Sequence, residues 1–234
     1  MASAQDAVRQ ARAAHTARVD TLLKRARVVF WDFDGVIKDS LTVKSDAFER
    51  LFLPYGSEIA ARVRRHHEAH GGLSRFEKVP LYLDWAGEAP TPERVFEFCE
   101  RFSTIVRQEV IDAPWVPGVR EYLDANHLRQ RFALVTATPQ QEMQEILQAL
   151  GIAHWFGEVH GAPTPKAAAM SLVLQRWSCQ PEQSLAVGDA DADFDAAEAN
   201  HVTFALRRTR LNQELQERFA GPSFDRLGVG VTRG

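Results

Sequence analysis

The sequence predicts an α/β fold: a parallel, Rossmann-like sheet core interrupted by an inserted all-helical block. Three observations carry that expectation. A short apolar run, Val28, Val29, Phe30 and Trp31, is followed at once by two aspartates, Asp32 and Asp34, as at the mouth of a buried strand. From Pro114 onward, strand-like and helix-like segments alternate, which argues for parallel strands covered by helices on both faces. Between these regions, residues 42–113 read almost wholly as helix.

Taken in order, residues 1–26 are rich in Ala and Arg and poor in acids, which suits either an organelle transit peptide or an amphipathic helix. Ala4, Val8, Ala11, His15, Val19 and Leu22 recur every three or four residues, and the segment runs into the first strand without a cleavage spacer, so a structural helix is expected. In the helical block, Val95, Phe98, Phe102 and Val106 share one helical face, with Thr91 as cap and Pro92 at the first helical position. Downstream, RFALVT (131–136) is a strand, residues 139–151 a helix closed by Gly151, and WFGEVHG (155–161) a short strand. Residues 166–177 form a helix, SLAVGD (184–189) a strand, residues 193–200 a helix and HVTFALR (201–207) a last strand. The stretch beginning RLNQELQERF suggests one more helix, without an assigned role. The expected division is therefore an N-terminal helix at 1–26, a helical cap at 42–113, and a core built from 27–41 and 114–234.

The bulk properties exclude several function classes. At 234 residues, with 45% hydrophobic and 25% charged residues, the chain matches ordinary globular protein. A formal net charge of −3 offers no basic field for nucleic acid or acidic lipid. No apolar run approaches the roughly 18 residues of a membrane span. Cys99 and Cys179, the two cysteines, lie far apart without metal-site spacing, so free buried thiols in a reducing, cytoplasmic setting are expected.

In open α/β sheets, ligands bind beyond the carboxyl ends of the strands. The predicted strands deliver Asp32 and Asp34, then Thr136 followed by Ala137 and Thr138, then Lys166 as a helix begins, then Asp189 with Asp193 four residues on. Three strand-end carboxylates, a hydroxyl and an ammonium converge, and the aspartates are tolerable together only if a cation shares their site.

Here the chain resembles the haloacid dehalogenase superfamily, specifically its capped aspartate-phosphatase branch (phosphoglycolate phosphatases and β-phosphoglucomutases). DFDGVIKDS is similar to the motif DxDGxxxDS, Thr136 and Lys166 to the second and third motifs, and GDADAD (188–193) to GDxxxD. VPGVREYL (116–123) resembles the PGVxxxL segment that opens the core helix before the second motif. The resemblance covers residues 27 to about 206 and implies a Mg2+-dependent phosphatase acting on a small phosphorylated metabolite. In that scheme Asp32 is the nucleophile and Asp34 the acid and base. Mg2+ is held by Asp32, the Asp34 carbonyl and Asp189, with Asp193 in support. Thr136, Lys166 and the backbone around Ala137 hold the phosphoryl oxygens. GGLSRFEK (71–78) resembles a cap loop that faces substrate, which nominates Arg75 and Lys78 alongside Lys44. A monomer or homodimer is expected.

Competing readings are weaker. Asp189, Asp191, Asp193 and Asp195 mimic a calcium loop, but Phe194 and Asn200 stand where it needs Gly and Glu. His66, His67 and His70 miss the HExxH spacing, so a polar helix face is expected. True dehalogenases and phosphonate-cleaving relatives lack a counterpart of Asp34. The related mutases carry a His where this chain has Lys44, and a Glu where it has Gly188. A non-catalytic member would normally have lost a motif, and none is lost here.

Overall fold

A computed structural model describes residues 4–228. Its centre is a parallel sheet in the order β3-β2-β1-β4-β5-β6. β1 (Val28–Trp31) lies between β2 (Arg131–Pro139) and β4 (Ser184–Gly188), with β3 (Glu158–Ala162) outside β2. β5 (Thr203–Arg207) and the short β6 (Ser223–Phe224) complete the other side. All four residues of β1 are buried, as a central strand covered on both faces requires.

The period of two sorts the strand side chains between two layers. Val28 and Phe30, with Ala133, Val135 and Ala186, pack against Met170 and Val173 of α8 (Lys166–Arg176) and Ala196 and Ala197 of α9 (Asp191–Ala199). Val29 and Trp31, with Phe132, Leu134, Leu185 and Val187, face the opposite layer, which includes Val119 and Leu123 of α6 (Val119–Asn126) and Met143, Ile146 and Leu147 of α7 (Gln140–Ala149).

That second layer runs on without a break into the helical insertion: α2 (Leu41–Phe52), α3 (Ser57–Ala69), α4 (Arg75–Trp85) and α5 (Pro92–Asp112). Phe98, Phe102 and Val106 form the buried stripe of α5, with Val95 half-buried beside them. The Thr91 hydroxyl caps α5 by accepting from the Arg94 amide at 3.3 Å, and Ser74 with Glu77 closes a capping box on α4. The insertion is thus a packed helical cap on the sheet core, and the α/β fold expected from the sequence is observed.

Two details differ from expectation. The segment after β5 holds both α10 (Gln213–Arg218) and β6, which extends the sheet. The two-residue strand SF has no alternation to betray it. α1 (Ala4–Arg25) lies against this addition, with His15 Nδ1 3.1 Å from the Gly221 carbonyl. Cys99 is buried and Cys179 only half-buried; both thiols are free.

Candidate active site

The strand order sets the site. The chain proceeds from β1 outward through β2 and β3, then returns to the other side of β1 as β4, so a crevice opens at the carboxyl ends of β1 and β4. Trp31 is in register with Leu134 and with Val187, which brings the residues after these strands to one level. The Asp32 amide donates to the Val187 carbonyl at 3.0 Å, fixing the first carboxylate at the switch point. Gly35 then turns the chain at a φ of +78°, and a Cβ there would run into the Asp189 carboxylate. Glycine is required on both counts.

Lys166 enters from the first residue of α8. Its Nζ lies 2.9 Å from Asp32 Oδ1 and 2.6 Å from Asp193 Oδ1. The other Asp193 oxygen accepts from the Ala190 amide at 3.1 Å and so caps α9. Asp32, Asp189 and Asp193 are buried and present oxygens within 4.8 Å of one another; among the described residues no other cluster of three metal-type ligands exists. Burial, reinforced by Asp193 and Asp34, raises the Asp32 carboxyl to about 7 even though Lys166 opposes the shift. Burial together with Asp32 and Asp193 drives Asp189 well above the carboxylate range. The same carboxylates hold Lys166 above the ordinary lysine range despite its burial. One ammonium does not neutralise three carboxylates, so this trio cannot stay ionised together without a further cation. Hard oxygen donors in this arrangement fit a divalent ion of the Mg2+ type.

Asp34 sits two residues on in different surroundings. Its Oδ1 accepts from Ser40 Oγ at 2.7 Å. Its Oδ2 accepts from Lys44 Nζ at 2.5 Å and Thr138 Oγ1 at 3.1 Å. Burial would raise this carboxyl, but Lys44 and the three donated hydrogen bonds outweigh burial and hold it below the usual range. Two carboxyls of one strand end are thereby pushed in opposite directions. Thr136 is buried next to them, its Oγ1 accepting from the Thr138 amide at 3.2 Å.

The cap forms the roof. Gly72 approaches the loop at the start of α9 so closely that a Cβ would collide with Ala192. Lys44, Arg75 and Lys78 line the same cavity of about 570 Å³ as Asp32, Asp34, Thr136, Ala137, Lys166 and Asp189. Asp193, although in the carboxylate cluster, is not among the lining residues. Arg75 spends its guanidinium across the seam between cap and core: Nη1 and Nη2 donate to Glu142 of α7 at 2.8 and 2.7 Å, and Nη1 also to Ser103 Oγ at 2.5 Å. Lys78 is almost fully buried, with its Nζ 3.1 Å from His67 Nδ1 and no carboxylate in contact among the described residues. Burial first, then the Lys44 charge, lowers the Lys78 ammonium to about 7, and burial with the same cations pushes His67 well below its ordinary value.

Several participants escaped sequence reasoning. Ser40 lies within the quoted DFDGVIKDS, and Thr138 two residues past Thr136, so their positions were visible without their role. Glu142 and His67 carry no local signal. Asn212, which donates from Nδ2 to the Asp189 carbonyl at 2.6 Å and the Arg207 carbonyl at 2.9 Å, reaches the site only through the fold. The polar helix face expected of the three histidines holds only in part: His67 is buried beside Lys78, whereas the half-buried His66 has its Nδ1 3.0 Å from the Tyr82 hydroxyl and stacks on the exposed His70.

Known proteins are similar to this chain in sequence or in fold. The chain is 33% identical over 186 residues to a phosphoglycolate phosphatase of Pectobacterium atrosepticum, covering 76% of this chain and 78% of that one. It is 28% identical over 184 residues to a phosphorylated carbohydrates phosphatase of Thermotoga maritima, covering 73% and 80%. A crystal structure of β-phosphoglucomutase from Clostridium difficile shares the fold with a TM-score of 0.64 at 20% identity, over 81% of this chain and 87% of that one. The family model of the haloacid dehalogenase-like hydrolases matches residues 26–201, which include Asp32, Asp34, Thr136, Lys166, Asp189 and Asp193, and the chain belongs to that family.

Proposed function

We propose that this hydrolase is a Mg2+-dependent phosphatase that cleaves a small phosphorylated metabolite through an aspartyl phosphate on Asp32. The observation that carries the reading is the contrast at the end of β1: Asp32 faces Lys166 and two further carboxylates, while Asp34 has its own set of donors. Asp32 attacks phosphorus, and Lys166 with the Thr136 hydroxyl and the amide of Ala137 holds the phosphoryl oxygens as charge spreads over them. Asp32, Asp189 and the Asp34 carbonyl would hold the metal, with Asp193 orienting the set through Lys166. Bound there, the ion would supply charge neutralisation between the nucleophile and the incoming phosphate.

Asp34 begins as an ionised acceptor under Lys44. An arriving phosphoester dianion competes for the Lys44 ammonium, and loss of that partner raises Asp34 toward the protonated form needed to release the leaving oxygen. The same carboxyl then takes the proton of the attacking water. We assign residues 42–113 as the cap and 27–41 with 114 onward as the core, the cap contributing Lys44 and Lys78 to substrate binding. Lys78 suits a metabolite whose remote end is anionic, such as a phosphoglycolate-like or sugar phosphate, in keeping with what the named relatives act on. Arg75 we place at the rim of that set, held by Glu142.

Hydrolysis is favoured over phosphosugar mutase chemistry by two residues. Lys44 is a donor without acceptor capacity, unlike a proton-shuttling histidine. Gly188 leaves no room for a glutamate, because a Cβ there would collide with Asp193. A phosphorus NMR time course with β-glucose 1-phosphate, primed with β-glucose 1,6-bisphosphate, tests the reading. Inorganic phosphate is expected, and only with Mg2+ present; faster accumulation of glucose 6-phosphate sinks it.

A further inference from the structure

Beside the mouth of the catalytic cavity lies a second cleft of about 610 Å³. Four arginines line it, Arg12 of α1 and Arg207, Arg208 and Arg210 at and beyond the end of β5, against two carboxylates, Asp39 and Asp225. Two of the arginines are hydrogen-bonded, and the exposed Arg12 has only a loose ion pair. Arg208 donates to both Asp225 oxygens at 3.0 and 2.8 Å and to Ser223 Oγ at 2.8 Å. Arg12 reaches Asp225 at 3.7 Å, and Arg210 donates to the Thr42 hydroxyl at 2.6 Å.

Arg207 is different. It is 8% exposed, yet its guanidinium donates no hydrogen bond among the described residues. Its Nε is enclosed without an acceptor, and Asp39 stands 3.7 Å from Nη2, beyond hydrogen-bond reach. A guanidinium this buried that makes no hydrogen bond and has only one loose ion pair is costly, and the group that suits it is an oxygen of a phosphate or carboxylate.

We propose that this cleft is a second anion-binding site, taking the phosphate or carboxylate group of a small metabolite on Arg207 with Arg210 closing over it. The site is separate from the catalytic cavity but shares a wall with it, since Leu41, Thr209, Arg210, Leu211 and Gln213 line both. It is also tied to the carboxylate cluster, because Asn212 donates to the carbonyls of Arg207 and Asp189 together.

The test is calorimetric titration of the full chain with inorganic phosphate in excess chelator, where no metal helps to hold an anion in the catalytic cavity. One phosphate is expected to bind. Arg207→Gln is expected to weaken it about tenfold or more, Arg210→Gln about threefold, and Lys166→Met less than twofold. Arg207 makes no hydrogen bond and Arg210 is exposed, so both variants should stay folded, which melting of the same samples verifies. Binding that disappears with Lys166→Met, or that is equal in all variants, or that is absent up to about 10 mM phosphate, overturns the site. A second arm, which rests on the phosphatase reading, identifies the source of the anion. If Arg207→Gln lowers kcat/KM for a sugar bisphosphate relative to its monophosphate, the cleft holds the far end of the substrate. If that ratio is unchanged while phosphate binding is lost, it holds a separate ligand.

Discussion

The floor and the roof of the catalytic cavity carry opposite charge imbalances. On the floor, Lys166 is the cation in contact with the cluster of Asp32, Asp189 and Asp193 among the described residues, with Arg207 acting on Asp189 from farther off, and the surplus is negative. In the roof, Glu142 answers Arg75, but Lys78 touches only a neutral histidine, and the surplus is positive. Each surplus is a cost to folding that a ligand of opposite charge removes. A floor short of cations and a roof short of anions describe a site that accepts a divalent metal below and a multiply charged phosphoester above it. On the proposed reading the difference also separates chemistry from selectivity, the floor acting on the phosphoester and the roof selecting which one reaches it.

The floor is broken most completely by removing its nucleophile. Asp32→Asn should lower phosphatase turnover by more than a hundredfold, since loss of one acting nucleophile typically costs at least that. The folded chain should be no less stable, because a like charge leaves a buried cluster. Thermal unfolding and hydrolysis of para-nitrophenyl phosphate, measured on one preparation, check both halves. Retention of more than about a hundredth of the activity would reassign the nucleophile.

The floor was also the legible half. Asp32, Lys166 and Asp189 follow strand ends and Thr136 lies in the last half of β2; strands announce themselves by short apolar runs with polar residues after them, so position along the sequence already implied position in space. The roof obeys no such rule. Arg75 and Lys78 sit on a helix whose rotation about its axis decides whether they meet substrate, a neighbour or solvent. That rotation is set by the packing of Val79, Tyr82 and Leu83, and by a glutamate 67 residues away on α7. The segment GGLSRFEK does line the cavity, but the pairing of Arg75 with Glu142 stayed invisible. The same limit hid β6 and Asn212, whose roles exist only once β5 and the segment after it are side by side.

A smaller break concerns the seam where roof meets floor. Glu142→Gln leaves the Arg75 guanidinium buried without its counter-charge, which typically costs about 3–5 kcal/mol. Burial alone would raise the Glu142 carboxyl, but Arg75 and Ser103 hold it below the ordinary range. Its stabilising contribution is therefore present above the unfolded glutamate range and fades as pH falls through the folded value. Denaturant unfolding of wild type and variant should differ by that amount near pH 7, and the gap should narrow below about pH 4. A gap that persists unchanged in acid would mean that the carboxylate charge is not what holds the seam.

The last break is the most direct probe of the roof. Lys78 faces His67 from α3, Lys44 from α2, Arg75 and Glu77 on its own helix, and Lys166 across the cavity; only Glu77 favours its charge. With its ammonium lowered to about 7, the folded chain sheds a proton that the unfolded chain keeps up to about 10. Stability from this group must then rise with pH across that window, and the full cost of burying it is felt below the folded value. Lys78→Met keeps the length of the side chain and removes the charge, so it should melt above wild type near pH 6, with the advantage shrinking toward about pH 10. Saturation with a phosphorylated dicarboxylate or bisphosphate should reverse the order, because only wild type offers that ligand a cation. If Lys78→Met is instead less stable than wild type at every pH, the ammonium is already satisfied within the fold. The positive surplus assigned to the roof would then vanish, and with it the reason to expect an anionic remote end on the substrate.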